Sequence, residues 1–265
     1  MEPVIRWLAV ITLSSIIYGS LSALISMRKL YFLASTAPHS ALLAVSTAVV
    51  LSNITRTLNE YLWSSIIGCL MMLLVGYLIY KGADTDIVTS VYVASSASIS
   101  ILVINYVLTN YGLRYSLWSI ILGDPLLTTW DDVINLAAIA LLAISIISLS
   151  FKYHLYIGID PDFIKLSVRY RWAYEALIFT LLGLASVALI RVSGFILQHI
   201  LMLFPSTIAI NLSEGARRAY VLSIIISLTT GCLGLYIAIL ANIAPSSAIG
   251  LILLLAYVVT LAKSR

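Results

Sequence analysis

Charged side chains are scarce in this chain. Lys, Arg, Asp and Glu make up 10% of its 265 residues, against roughly 25% in soluble globular domains. That deficit, with a hydrophobic share of 62% and a mean hydropathy of +1.07, excludes an ordinary water-soluble fold. Cysteine is almost absent. Cys69 and Cys232 both fall inside apolar runs and form no Cys-x-x-Cys pair, which leaves no disulfide framework and no structural zinc site, only two small packing residues. No basic run is interleaved with aromatics, so the formal charge of +4 points to no nucleic acid. None of the five lysines, Lys29, Lys81, Lys152, Lys165 and Lys263, follows a glycine, so the P-loop that would cradle ATP phosphates is missing. His-Glu-x-x-His is missing as well, and midspan carboxylates are nearly so. A membrane-embedded hydrolase, the rival class, would need one of those or a base-activated nucleophile. Ser35 and His39 lie within helical reach of each other, but no third orienting group is visible.

What the chain has is apolar runs of membrane-spanning length. An α-helix needs about 20 apolar residues to cross a bilayer core, and about nine runs qualify. They extend roughly from Trp7 to Ser26, Leu30 to Ser52, Tyr61 to Tyr80, Ile87 to Thr109, Val133 to Phe151, Trp172 to Ile190, Val192 to Leu212, Ala219 to Leu240 and Ala244 to Ala262. The expected fold is an all-α polytopic membrane protein, residues 1–265 forming one bundle and one domain. The first run is too long, and its end too poor in small residues, for a removed signal peptide. Lys and Arg collect in cytoplasmic loops. With the amino terminus outside, the cytoplasmic side holds Arg28, Lys29, Lys81, Lys152, Lys165, Arg169, Arg171, Arg217, Arg218, Lys263 and Arg265, while Arg6, Arg56, Arg114 and Arg191 stay outside. This asymmetry places the carboxyl terminus in the cytoplasm.

Two connections are long. Tyr111 to Asp132 has an apolar centre, Ser116 to Leu122, that is too short to cross and suits a re-entrant or interfacial segment. Lys152 to Arg171 is polar and contains Asp160-Pro161-Asp162, where Pro161 suits a cytoplasmic helix start. Asp131 and Asp132 suit another helix start, and Asp84 and Asp86 a turn before the fourth span. Glu60 and Glu175 read as solvated or snorkelling groups near helix ends, and His154 as a solvated loop residue. Gly231 with Gly234, and Ser246 with Gly250, permit close helix packing.

His39 stands out. It follows the basic pair Arg28-Lys29 by about 15 Å of helix, which places its imidazole near the midplane of a core about 30 Å thick. Ionisable groups at that depth face a bundle interior or a polar path. A pathway role and an interhelical hydrogen bond are both open for it. His199, beside Gln198 in the seventh run, is a second candidate for the same path nearer the outside.

The order of several motifs resembles the membrane permeases of the zinc/manganese type of ABC importer. Arg28 to Ala41, Arg-Lys-Leu-Tyr-Phe-Leu-Ala-Ser-Thr-Ala-Pro-His-Ser-Ala, is similar to the family's Arg-Arg-Leu, Gly-Asp and His-Ala segment, with His39 on the family histidine. Leu122-Gly123-Asp124 resembles its Phe-Gly-Asp, and Ile159-Asp160-Pro161-Asp162-Phe163 its Phe-Asp-Pro-Glu loop. Gly194 to Arg218, with Pro205 and Ala209, resembles the stretch before the ATPase contact, and Asn242-Ile243-Ala244-Pro245-Ser246 the external turn near the end. Ser35 stands where the family commonly has Asp, four residues before the histidine and on the same helix face. Leu43-Ala44 and Val168 replace the family's Pro-Gly and Gly.

The resemblance implies a multi-pass permease of the cell membrane, without its own ATPase, that dimerises with a second copy among membrane lipid. It implies an external substrate-binding protein and a cytoplasmic ABC ATPase, which carries the ATP. The cargo it implies is a divalent metal, zinc or manganese, passing Ser35, His39 and His199 with His39 as metal contact, and no permanently bound cofactor. A permease for a metal chelate, siderophore or cobalamin is the alternative. Ser213, Glu214, Arg217 and Arg218 are the candidate contacts to the ATPase, although Arg217 and Arg218 equally suit headgroup anchors of the next span.

Overall fold

The structure, a computed structural model, describes residues 2–111, 123 and 125–263. Long apolar stretches fold as helices because no backbone polar group can be left unpaired in hydrocarbon. Chain order gives α1 (Glu2–Met27), α2 (Leu33–Thr55), α3 (Glu60–Tyr80), α4 (Thr85–Asn110), a single 3₁₀ turn at Pro125–Leu127, α5 (Trp130–Ile159), the short α6 (Pro161–Ser167), α7 (Arg171–Asn211), α8 (Ala216–Ala241) and α9 (Pro245–Lys263). All but the 3₁₀ turn and α6 are long and apolar enough to cross a membrane, eight helices among the described residues. The expectation of nine spans is thereby corrected to eight. Its sixth and seventh runs both lie in α7, a helix of 41 residues.

At about 1.5 Å per residue α7 would be about 61 Å long if straight, twice the bilayer core. It is not straight. Gly194 has φ 72 and ψ 169, a conformation that only glycine adopts without strain. The chain turns back there: the Gln198 side chain donates to the Ser186 carbonyl at 3.0 Å, although twelve residues of straight helix would separate them by about 18 Å. Gly123 packs onto this turn, and a Cβ on Gly123 would collide with the backbone of Ser193 and Gly194. The segment 112–122, expected to be re-entrant or interfacial, lies outside the described residues.

α1 and α7 form the centre. In each, 72% of the most apolar window is buried, against 17% in α4. Tyr18, Leu21, Leu24 and Ile25 of α1 meet Phe179, Leu182 and Leu189 of α7 in one core. Outward faces carry large apolar side chains such as Leu102, Leu141 and Leu149, as a surface bathed in lipid tails requires.

Polar side chains add specific links. The Tyr18 and Ser193 hydroxyls bond each other, and Ser40 links α2 to Tyr92 of α4 at 2.8 Å. Pro205 interrupts the second arm of α7. There Ser22 Oγ accepts from the Ser206 backbone N–H at 3.1 Å and donates to Ser206 Oγ at 2.8 Å, and Ser26 reaches the same hydroxyl at 2.5 Å. Two serines of α1 thus bind the second arm of α7 at Ser206, next to Pro205.

Several helix starts follow their expected caps. Asp84 accepts from Ile87 N–H at 2.9 Å, Thr129 and Asp132 form a capping box, and Asp160 accepts from Phe163 N–H at 3.0 Å ahead of α6. The glycines of α8 are packing positions as expected: Gly231 abuts Ser15, and Gly234 abuts Ile249.

Candidate functional site

α2 begins after a tight turn in which Lys29 adopts φ 57, and it continues through Pro38. Proline lacks an N–H, so the Ala34 carbonyl loses its helical partner one turn below His39. On the same face lies Ser35, half-buried like His39. The second arm of α7 lies against this part of α2 and contributes His199. The two imidazoles are 5.7 Å apart, centroid to centroid, with planes at 86°. Phe195 touches both, at 4.8 Å from His39 and 4.7 Å from His199. The two histidines, widely separated in sequence, therefore meet at one place.

Their nitrogens are not equivalent. His199 Nδ1 is 2.8 Å from the Phe195 carbonyl, which can only accept, so Nδ1 carries the proton and Nε2 keeps its lone pair. His39 Nδ1 is buried with no hydrogen-bond partner. Two imidazole edges are thus uncommitted or free to coordinate. Neither α2 nor the arm from Ser193 to Asn211 contains an Asp or Glu. No group of three or more His, Cys, Asp or Glu side chains among the described residues is placed to hold an ion. Such an arrangement offers a transient contact, whereas a structural zinc site needs four ligands.

The other candidates lie elsewhere. Ser213, Glu214, Arg217 and Arg218 cluster at the short turn between α7 and α8. Glu214, Arg217 and Arg218 are exposed and Ser213 is half-buried, its hydroxyl bonded to the Ala209 carbonyl at 2.8 Å. Ser206, seven residues earlier, is buried in α7.

Two expectations fail. Glu175 is not solvated: it is 2% exposed and holds Arg28 in a two-pronged ion pair at 2.6 and 3.0 Å, with Arg171 at 3.6 Å. Burial demands a partner for a carboxylate, and Arg28 supplies it across helices. His154 is not in a loop. Helix α5 runs on to Ile159 and carries His154 into a fully buried position, stacked edgewise on Tyr153 at 5.2 Å. The apolar run stops at Phe151, so hydropathy alone gives no signal for that extension, although the Tyr and Ile residues that follow continue a helical pattern.

Residues 1–264 match the ABC 3 transport family. The chain belongs to that family. It is a multi-pass membrane protein, a transport component of an ABC system. It is 23% identical over 248 residues to the manganese import system permease protein ScaB of Streptococcus gordonii, covering 92% of this chain and 85% of the relative. It is 21% identical to the manganese transport system membrane protein MntC of Listeria monocytogenes, over 89% of this chain and 82% of that one. The fold matches the solved structure of PsaBC from Streptococcus pneumoniae in complex with Fab, at a TM-score of 0.82 and 20% identity, over 98% of this chain and 91% of the other. The resemblance carried by Arg28 to Ala41 and the later loops is thus confirmed at the level of the family.

Proposed function

We propose that this chain is the membrane permease of an ATP-driven importer, and that a divalent metal ion, zinc or manganese, crosses the membrane along a path touching Ser35, His39 and His199. The observation that carries the reading is the meeting of His39 and His199, half-buried between apolar helices of a family whose named relatives transport manganese. Ionisable side chains within membrane-spanning helices typically face a bundle interior or a polar path, and His39 Nδ1 has no hydrogen-bond partner. The whole chain acts as one permease domain, two copies of which enclose the path. ATP is bound and hydrolysed on a separate cytoplasmic subunit, docked on Ser213, Glu214, Arg217 and Arg218, and an external binding protein delivers the ion.

The amino terminus lies outside and the carboxyl terminus in the cytoplasm. Helix contacts support this orientation. Arg28 meets Glu175 and Tyr18 meets Ser193, so the first arm of α7 runs against α1. Ser22 and Ser26 meet Ser206, so the second arm runs with it. Helix α7 therefore starts and ends on the same side of the bundle, and Arg28, Lys29, Arg171, Arg217 and Arg218 gather at one end.

The test is uptake by proteoliposomes holding the chain with its ATPase and binding protein. Zn²⁺ or Mn²⁺ entry that depends on ATP and falls in His39→Ala, with assembly intact, is expected. Full uptake by His39→Ala removes that residue from the path, and stimulation by cobalamin or an iron chelate instead of the free ions overturns the cargo.

A further inference from the structure

We infer that the path in this chain selects ions that favour imidazole nitrogen, zinc foremost, over manganese, and that His199 is the selecting residue alongside His39. The inference rests on the metal-permease reading and deepens it. The donor set is the argument. Position 35, one turn below His39, is a serine, and no carboxylate occurs on α2 or on the arm of α7 that faces it. Manganese suits carboxylate, carbonyl and water oxygens and binds most weakly of the first-row ions to nitrogen sites, whereas zinc stands well above it and accepts imidazole readily. On α2 itself, position 35 supplies only a hydroxyl, and Pro38 leaves the Ala34 carbonyl without its usual helical N–H donor.

Geometry permits both rings to bind one ion. Two imidazoles sharing a zinc, at about 2.0–2.1 Å from each ligating nitrogen, have centroids roughly 5–6 Å apart, and these lie at 5.7 Å. The Phe195 carbonyl fixes the His199 tautomer so that Nε2 presents its lone pair, the device by which a second partner orients a metal-binding histidine. His39 Nδ1, buried and unpartnered, is the other free edge. The rings stand edge to face, so a rotation about the His39 side chain brings the second nitrogen to the ion. Two nitrogen ligands from one chain hold zinc loosely enough to release it, as a conducting site must.

Equilibrium dialysis of the assembled permease–ATPase complex against ZnCl₂ and MnCl₂, without the binding protein, removes that protein's own preference from the measurement. Zn²⁺ is expected to bind more tightly than Mn²⁺. His199→Ala should weaken Zn²⁺ by at least the about 10–100-fold typical of a lost outer partner while leaving Mn²⁺ almost unchanged, and Ser35→Asp should narrow the Zn²⁺ preference. Co-purification with the ATPase and retained basal hydrolysis show that each variant is folded, and His199→Asn serves where Ala does not assemble. Tighter Mn²⁺ than Zn²⁺ binding by the unaltered complex, or an unchanged ratio in His199→Ala, overturns the inference and leaves the permease reading standing. Failure of the unaltered complex to bind or transport either ion overturns both.

Discussion

Glu175 and Arg28 join the start of α7 to the end of α1 through an ion pair whose side chains are 2% and 6% exposed. Removing one member leaves the other charge buried and uncompensated, which costs about 3–5 kcal/mol, while replacing both with apolar groups is far milder. Glu175→Ala is therefore expected to lower the melting temperature of the detergent-solubilised complex strongly, and Arg28→Met with Glu175→Leu to recover most of the loss. A double substitution as damaging as the single one would show that the pair is not the interaction at stake. His154 presents the opposite case. Neither ring nitrogen has a partner among the described residues, and an unsatisfied buried polar group costs about 1–3 kcal/mol. His154→Phe should leave the melting temperature unchanged or raise it, and a large drop would reveal a polar role for the ring.

At the scale of elements, the break in α7 decides how the candidate site forms. If the chain ran straight through Gly194, His199 would continue away from the first arm and could not lie beside α2. Gly194 combines φ 72 with ψ 169, where any other residue is strained by about 1–3 kcal/mol, and Gly123 presses on the same turn. Gly194→Ala is expected to impair assembly and to abolish uptake. Gly215→Ala is the control, since its φ of −160 suits any residue and a Cβ there meets nothing. Comparable loss in both variants, read from yield of the permease–ATPase complex, would remove the special role of the turn. Ser22 and Ser26 add to the same account, because both tie the second arm to α1 at Ser206.

Across the whole molecule, the proposed docking surface for the ATPase is the basic end with the exposed turn at Glu214. Glu214→Ala with Arg217→Ala is expected to lower ATP-dependent uptake several-fold without lowering expression, and unchanged uptake would return Arg217 to the role of headgroup anchor. Single cysteines at Glu214 and Asn242, in a background without Cys69 and Cys232, should react with an impermeant thiol reagent from the inside and the outside respectively. The reverse pattern would invert the proposed orientation.

Much of this was legible in the chain itself. Apolar runs locate α1 to α4, α8, α9 and the start of α5 within about five residues, because span length and hydropathy are local properties set by the bilayer. Asp84, Thr129 with Asp132, and Asp160 announce their helix starts by the same local chemistry. The motifs from Arg28 to Ala41 and around Asp160 suffice for the family. The runs from Trp172 to Leu212 look like two spans because hydropathy counts residues and is blind to backbone dihedrals, so it cannot tell separate helices from one helix folded at Gly194.

Partnerships between distant residues lay beyond the sequence for a different reason. Whether Glu175 is solvated or bound to Arg28, and whether His199 faces His39 or lipid, depends on which helices pack side by side. That is settled by the summed burial of whole faces rather than by any short pattern. The sequence by itself determined a helical membrane protein of the ABC 3 transport family with a histidine inside an apolar helix. Tertiary packing alone decided that this histidine has a second imidazole beside it, because only folding α7 back at Gly194 brings residues 39 and 199 together.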